Sequence, residues 1–198
     1  MMLTEVTGVP DAALPVQALK DHLRLGSGFA MAPDQDGLLQ SHLRAALAAI
    51  EARTGKAIFE RSFRLVLEDW RDPAEQPLPV APVGLIEAVV LVDAAGGETV
   101  LAPAGWRLIE DRHRPRLAGR GTALPPVPAE GRVEVLFDAG FGTDWADIPA
   151  DLRQAVLLLA ADYYEHRHEA AASAGLPAAV AVLIEGWRQV RILGGGRR

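Results

Sequence analysis

The sequence contains no cysteine, and among its 20 basic residues only Lys20 and Lys56 are lysines. Without cysteine the chain forms no disulfide and has no thiol nucleophile, so a zinc site would need histidine and carboxylate ligands alone. No apolar run approaches the roughly 18 residues of a membrane-spanning helix. The longest candidate, from Ala155 to Ala161, is far too short. We therefore expect no membrane span and no thiol chemistry.

Basic charge is scarce relative to acidic charge. The formal net charge is −6 at pH 7, whereas proteins that bind nucleic acid tightly are usually basic because they neutralise phosphates. The balance argues against tight DNA binding and suits a surface that DNA passes without sticking. The opening residues, MMLTEVTGVPDAALPVQ, place no basic segment ahead of an apolar one, unlike a secretion signal.

Helical periodicity occurs toward both ends of the chain. The strongest pattern spans 35–54, where apolar residues recur every three or four positions and Gly55 offers a C-terminal cap. Shorter helices are predicted at 14–24 and at about 177–191. A buried stripe after Pro149 predicts a further long helix, carried by Leu152, Val156, Leu159 and Tyr163.

The middle of the chain has the periodicity of strands. In FERSFRLVLEDW the apolar residues alternate, and LIEAVVLVD and RVEVLFDAG read as further strands separated by turns rich in glycine and proline. We predict an α+β fold, in which a helical bundle of about four helices carries an antiparallel β-rich insertion between the second and third long helices. The helical core comprises 1–56 and 139–198, and the insertion comprises 57–138.

The segment YYEHRHE, which begins at Tyr163, has the composition of a metal site. On a helix, His166 and His168 point about 200° apart and cannot share one ion, whereas Glu165 approaches His168 and Glu169. A di-metal site in a helical bundle needs a second Glu-x-x-His, and the sequence has none. Solvated residues at the end of a helix are the favoured interpretation, with a metal site as the alternative.

No other segment has the spacing of a catalytic or cofactor motif. The chain lacks a Gly-x-Ser-x-Gly elbow, a P-loop and a dinucleotide fingerprint. We predict no catalytic residue, no resident metal and no cofactor. Trp187, near Arg188, is either a core residue or an anchor between subunits, because both residue types are enriched at interface hot spots.

The ordered set of motifs resembles the head–tail connector, or adaptor, family of tailed bacteriophages and gene transfer agents. The resembling pieces are VQALKDHLRL, LLQSHLRAALAAIEARTGKAIFERSFRLVLEDW, LPVAPVGLIEAVVLVDAAGGETVL and VEVLFDAGFGTDWADIPADLRQAVLLLAADYYEHR. They cover most of positions 16–167. The first fifteen residues and the loop RHRPRLAGRGTALPPVPAEG match least well.

The resemblance implies a structural protein of the virion head–tail junction, made in the cytoplasm of a bacterial host, without catalysis or membrane contact. Members form a homo-oligomeric ring, commonly a dodecamer, beneath the portal protein. The ring extends the channel for double-stranded DNA and docks stopper and tail proteins. The C-terminal tail would reach the portal through Arg191, Ile192, Leu193, Gly194, Gly195, Gly196, Arg197 and Arg198.

Two alternatives remain beside the adaptor ring. One is another neck or stopper protein of the virion with the same helix–sheet–helix order. The other is a metal-dependent enzyme that uses the Glu165 and His168 region.

Overall fold

A computed structural model describes residues 1–24, 35–121, 123–167 and 175–188 of the chain. Four α-helices and eight strands lie in those ranges. The helices are α1 (Val16–His22), α2 (Asp36–Thr54), α3 (Ala150–Glu165) and α4 (Ala178–Ile184). The strands are β1 (Met2–Glu5), β2 (Arg61–Leu67), β3 (Glu75–Pro77), β4 (Val83–Val92), β5 (Glu98–Val100), β6 (Trp106–Ile109), β7 (Arg116–Gly119) and β8 (Arg132–Ala139).

The long helices α2 and α3 pack together and form one hydrophobic core with α1 and α4. The apolar stripe of α2 faces this core, as its spacing predicts, and Leu39, Leu43 and Ile50 are fully buried. The helix ends at Gly55, which takes the left-handed conformation (φ 67°) and returns its N–H to the carbonyl of Glu51. The predicted bounds of α2 are therefore confirmed to within a residue.

The strands form two antiparallel sheets. The larger has the order β1-β2-β8-β4-β5, and the smaller has the order β3-β7-β6. A second hydrophobic core contains apolar side chains from both sheets, including the stacked rings of Phe63 and Phe137, whose centroids lie 5.8 Å apart. Trp70 and Trp106 belong to this core.

Two parts of the secondary structure differ from the sequence prediction. The strand β1 was not expected, because all four of its side chains are exposed and the segment has no buried–exposed alternation. The last helix was expected to reach residue 191, but α4 ends at Ile184 and continues as a 3₁₀ turn, Glu185–Trp187. Gly186 lies in that turn, and glycine is a poor helix former.

The α+β class is confirmed. The eight strands give β structure a larger share of the fold than a helical bundle with an insertion implies. Only α2 and α3, with 19 and 16 residues, are long helices within the described ranges.

Candidate interaction site

A buried ion pair joins the end of α2 to the large sheet. The guanidinium of Arg61, on β2, donates two hydrogen bonds to the carboxylate of Glu51, on α2, at 3.0 and 2.7 Å. The same carboxylate accepts the N–H of Ile58 at 2.7 Å. Glu5, on β1, forms an ion pair with Arg61 at 3.1 Å. Burial acts to lower the pKa of Arg61, but the hydrogen bonds and charges of the two glutamates outweigh it and raise that pKa.

A second connection runs from the end of α2 to the loop between β6 and β7. Lys56 is fully buried, and its Nζ donates a hydrogen bond to the main-chain carbonyl of Arg112. The Nδ1 atom of His113 lies 3.3 Å from the same Nζ. Burial, with the nearby charge of Arg112, lowers the pKa of Lys56 to about 8, although Asp111 opposes this shift. A buried lysine with a lowered pKa is a common catalytic group, yet here its partners are structural.

Trp187 lies inside the subunit. Its ring is 5% exposed, and its Nε1–H donates to the Oδ2 atom of Asp151, on α3, at 2.7 Å. The guanidinium carbon of Arg112 stands 3.9 Å from the ring centroid, and the ring of Phe141 meets it edge to face at 5.2 Å. Arg188 is exposed and pairs with Glu185 at 3.0 Å. These contacts account for Trp187 as a core residue, and its role between subunits stays a prediction.

The candidate metal ligands of YYEHRHE lie at the end of α3. Glu165 is the last residue of the helix and is exposed. The Nδ1 atom of His166 lies 2.9 Å from the carbonyl oxygen of Asp162 and 3.3 Å from its carboxylate. Among the described residues, no group of three or more histidines and carboxylates is placed to hold a metal ion. His168, Glu169 and the tail residues 191–198 lie outside the described residues.

One row of side chains crosses the outer face of the large sheet from edge to edge. The strand registers place Met2 opposite Val66, Val66 opposite Glu134, Glu134 opposite Val90, and Val90 opposite Val100. Directly opposed residues project to the same face of a sheet. Both ends of the row are exposed and apolar, since Met2 is 60% and Val100 is 66% accessible.

The β1 side of this face carries a shallow groove of about 490 Å³. Arg64 and Arg132 approach the carboxylate of Glu134 at 3.8 and 2.7 Å, so two cations share one anion there. The lining residues are Met2, Thr4, Val6, Arg64, Val66, Arg132 and Glu134. A groove in which charged side chains surround apolar ones is better suited to contact with another protein than to binding a small substrate.

Comparisons with known proteins place this fold in a family. No protein-family model matches the chain, and no curated protein matches it significantly. The chain is 56% identical to a protein in the neck of an empty GTA particle, in a structure computed with C6 symmetry. That match covers 98% of this chain and 99% of the other, with a TM-score of 0.90.

The chain belongs to the family of gene transfer agent neck proteins. A structure of the virion of a native gene transfer agent (GTA) particle contains a chain that is 56% identical, with a TM-score of 0.88. The neck of a native GTA particle, computed with C12 symmetry, contains one that is 53% identical, with a TM-score of 0.86. Each match covers 98% of this chain and 99% of the other.

The sequence prediction of a head–tail connector is confirmed at the level of a gene transfer agent neck protein. It missed most of the residues that connect the helices to the sheets and line the groove. No motif in the sequence marks the ion pair of Glu51 with Arg61, or the buried Lys56. Their one local clue is that they lie close to Gly55, with Glu51 before it and the two basic residues after it. The groove was missed because its first strand, β1, lies in the segment with the weakest pattern. No helix in the described ranges is long and apolar enough to span a bilayer.

Proposed function

We propose that this neck protein is a head–tail adaptor, which forms a homo-oligomeric ring at the head–tail junction of a gene transfer agent particle. The observation that carries the proposal is the 56% identity, over 98% of the chain, to a protein of a GTA particle neck. Related neck structures were computed with C6 and C12 symmetry, which favours a ring and, in particular, a dodecamer. In this role the chain performs no catalytic step.

The proposed ring lies beneath the portal protein, extends the channel for double-stranded DNA and presents a platform for stopper and tail proteins. The net charge of −6 supports a channel that guides the duplex without holding it. The C-terminal residues 191–198, RILGGGRR, are proposed to bind the portal. Glycines let such a segment order on its partner, and arginines pair with acidic groups. In the same proposal the subunit divides into a helical core, 1–56 and 139–198, and a β-rich insertion, 57–138, to whose large sheet β1 adds a strand.

The decisive experiment is to delete the gene for this chain and image the resulting particles by electron microscopy. The proposal expects filled heads and separate tails, with joining restored when the chain is supplied in trans. Particles that join heads to tails normally without the chain would contradict it.

A binding experiment separates an adaptor from a stopper. Purified chain is mixed with portal rings, with and without the residues after position 190. The adaptor proposal expects direct binding by the full chain and a loss of about tenfold or more in affinity on truncation. Binding to portal only after a second neck protein is added would identify a stopper instead.

A further inference from the structure

Exposed apolar side chains are concentrated at the first strand. In the described part of the chain, four of the eight large apolar side chains that are exposed belong to the first six residues. They are Met1, Met2, Leu3 and Val6. A cluster of this kind on an edge strand marks a surface that another polypeptide covers.

The main chain of β1 also has a free edge. In the described ranges β1 pairs with β2 alone. The N–H of Val6 bonds the carbonyl of Ser62 at 2.8 Å, and pairs alternate along an antiparallel ladder. Leu3 and Glu5 therefore direct their N–H and C=O groups away from β2, toward the outer edge of the sheet.

The opposite edge of the same sheet has the complementary character. The strand β5 pairs with β4 alone among the described strands, and Val100 on β5 is exposed. The turn before it begins at Asp93, and β5 itself begins at Glu98. No basic residue occurs between Arg71 and Arg107, so every charged residue of this hairpin is acidic.

The groove beside β1 has the opposite charge. Within the groove lining, Arg64 and Arg132 share the single carboxylate of Glu134 next to the apolar Met2 and Val6. Glu68 and Glu130 line the adjoining surface at Arg132. The groove lining is therefore apolar with a net positive charge, and the hairpin at the other edge is apolar with only negative charge. Such complementarity fixes the partner and register of an interface.

We infer that the acidic β4–β5 hairpin of one copy docks in the groove beside β1 of the next copy, head to tail around the ring. This inference rests on the proposed ring and names the surfaces that form it. A cyclic ring with more than two subunits needs two different surfaces that fit each other. Val100 meets Met2 and Val6, and Glu98 approaches Arg64 and Arg132.

Cysteine pairs test the contact directly, because the chain has no cysteine of its own. Assembled particles carrying both Met2→Cys and Val100→Cys are treated with a short bis-maleimide. The contact joins each copy to the next, so a ladder of multimers of this chain is expected. Each single variant is expected to give no ladder. Met2→Cys combined with Val182→Cys is the matched control, since Val182 is 76% exposed but lies on α4, and it is also expected to give no ladder.

A charge exchange provides an independent test. Arg64→Glu and Glu98→Arg each place like charges across the contact, so each is expected to lower incorporation into particles by about tenfold. The double variant restores opposite charges and is expected to recover most of the incorporation. Arg107→Glu, an exposed arginine on β6, is the control and is expected to incorporate normally. Thermal unfolding of each purified variant verifies that the subunit stays folded.

The outcomes separate this inference from the proposed function. A ring that is present in particles but yields no ladder, or charge variants that incorporate like the parent, overturns the inference and leaves the adaptor proposal standing. A cross-link from Met2→Cys to a different neck polypeptide also overturns it. If the chain is absent from the parent particles, both proposals fall.

Discussion

The buried Nζ of Lys56 donates a hydrogen bond to the main-chain carbonyl of Arg112, and the guanidinium of Arg112 in turn stands over the ring of Trp187. A single arginine in the loop between β6 and β7 thus contacts both the end of α2 and the last described turn of the chain. The loop between two strands of the smaller sheet is therefore held against the helical part of the subunit at two points.

The pKa of Lys56 makes the stability of the fold depend on pH. The folded chain releases this proton near pH 8, whereas the unfolded chain holds it up to about the ordinary value of 10.5. Between these values the unfolded state binds more protons, so stability rises with pH. Below pH 8 the destabilisation is fully present.

We expect Lys56→Met to flatten the dependence of the unfolding free energy on pH between 8 and 10.5. Urea titrations at several pH values measure it. Lys20→Met removes the other lysine and is expected to retain the rise. An unchanged slope in Lys56→Met would mean that a different group titrates in this window.

The ion pair of Glu51 with Arg61 is expected to contribute strongly to stability. Glu51→Ala leaves the buried guanidinium with the carbonyl of Phe59 and the partly exposed carboxylate of Glu5, and it removes the acceptor of the Ile58 N–H. We expect a loss of about 3 kcal/mol in urea unfolding. The double variant Glu51→Ala with Arg61→Ala should lose less than the sum of the single changes, because no unpaired charge remains.

Glu185→Ala is the control for the Glu51 substitution. It removes an ion pair between exposed side chains, with Arg188, and is expected to cost less than about 1 kcal/mol. If Glu51→Ala and Glu185→Ala lower the unfolding free energy equally, the pair of Glu51 with Arg61 does not hold α2 against the sheet as described.

Any substitution of Gly140 is expected to destabilise the fold. Its φ is 143°, and a Cβ at this position would lie 2.3 Å from the Cα and N atoms of Glu60. Both neighbours are main-chain atoms that cannot move aside without disrupting the start of β2. We expect Gly140→Ala to destabilise the fold by about 2 kcal/mol or more.

Gly84→Ala is the matched control for Gly140, since nothing lies within 4 Å of its added Cβ. Its expected effect is within about 0.5 kcal/mol. Thermal unfolding monitored by circular dichroism compares the two variants, and similar melting temperatures would contradict the predicted contrast.

Substitution of Trp187 tests whether this residue stabilises the core of one subunit or the contact between subunits. Trp187→Phe removes the donor to Asp151, so we expect the isolated subunit to lose about 2 kcal/mol of stability. Trp145→Phe is the control, because Trp145 is only half-buried and stacks on Phe59. If Trp187→Phe leaves the isolated subunit unchanged but prevents ring assembly, the residue acts between subunits instead.

The sequence predicts a secondary-structure element correctly where that element depends on a local pattern of apolar residues. The stripe of α2 and the alternation of β2 are visible within a dozen residues, and both elements occur where they were predicted. The strand β1 was invisible because its pairing with β2 joins residues about sixty positions apart and buries none of its side chains. The contact of Lys56 with Arg112 is likewise non-local, and no pattern around either residue indicates it.

The clamp between Glu51 and Arg61 has a geometric consequence. The hydrophobic effect has no direction of its own, whereas a bidentate pair between a guanidinium and a carboxylate favours one relative orientation of its two groups. The pair therefore favours one tilt of the large sheet against the helices. In the proposed ring, we expect that tilt to contribute to the angle between neighbouring subunits, and so to the number of copies that complete the circle.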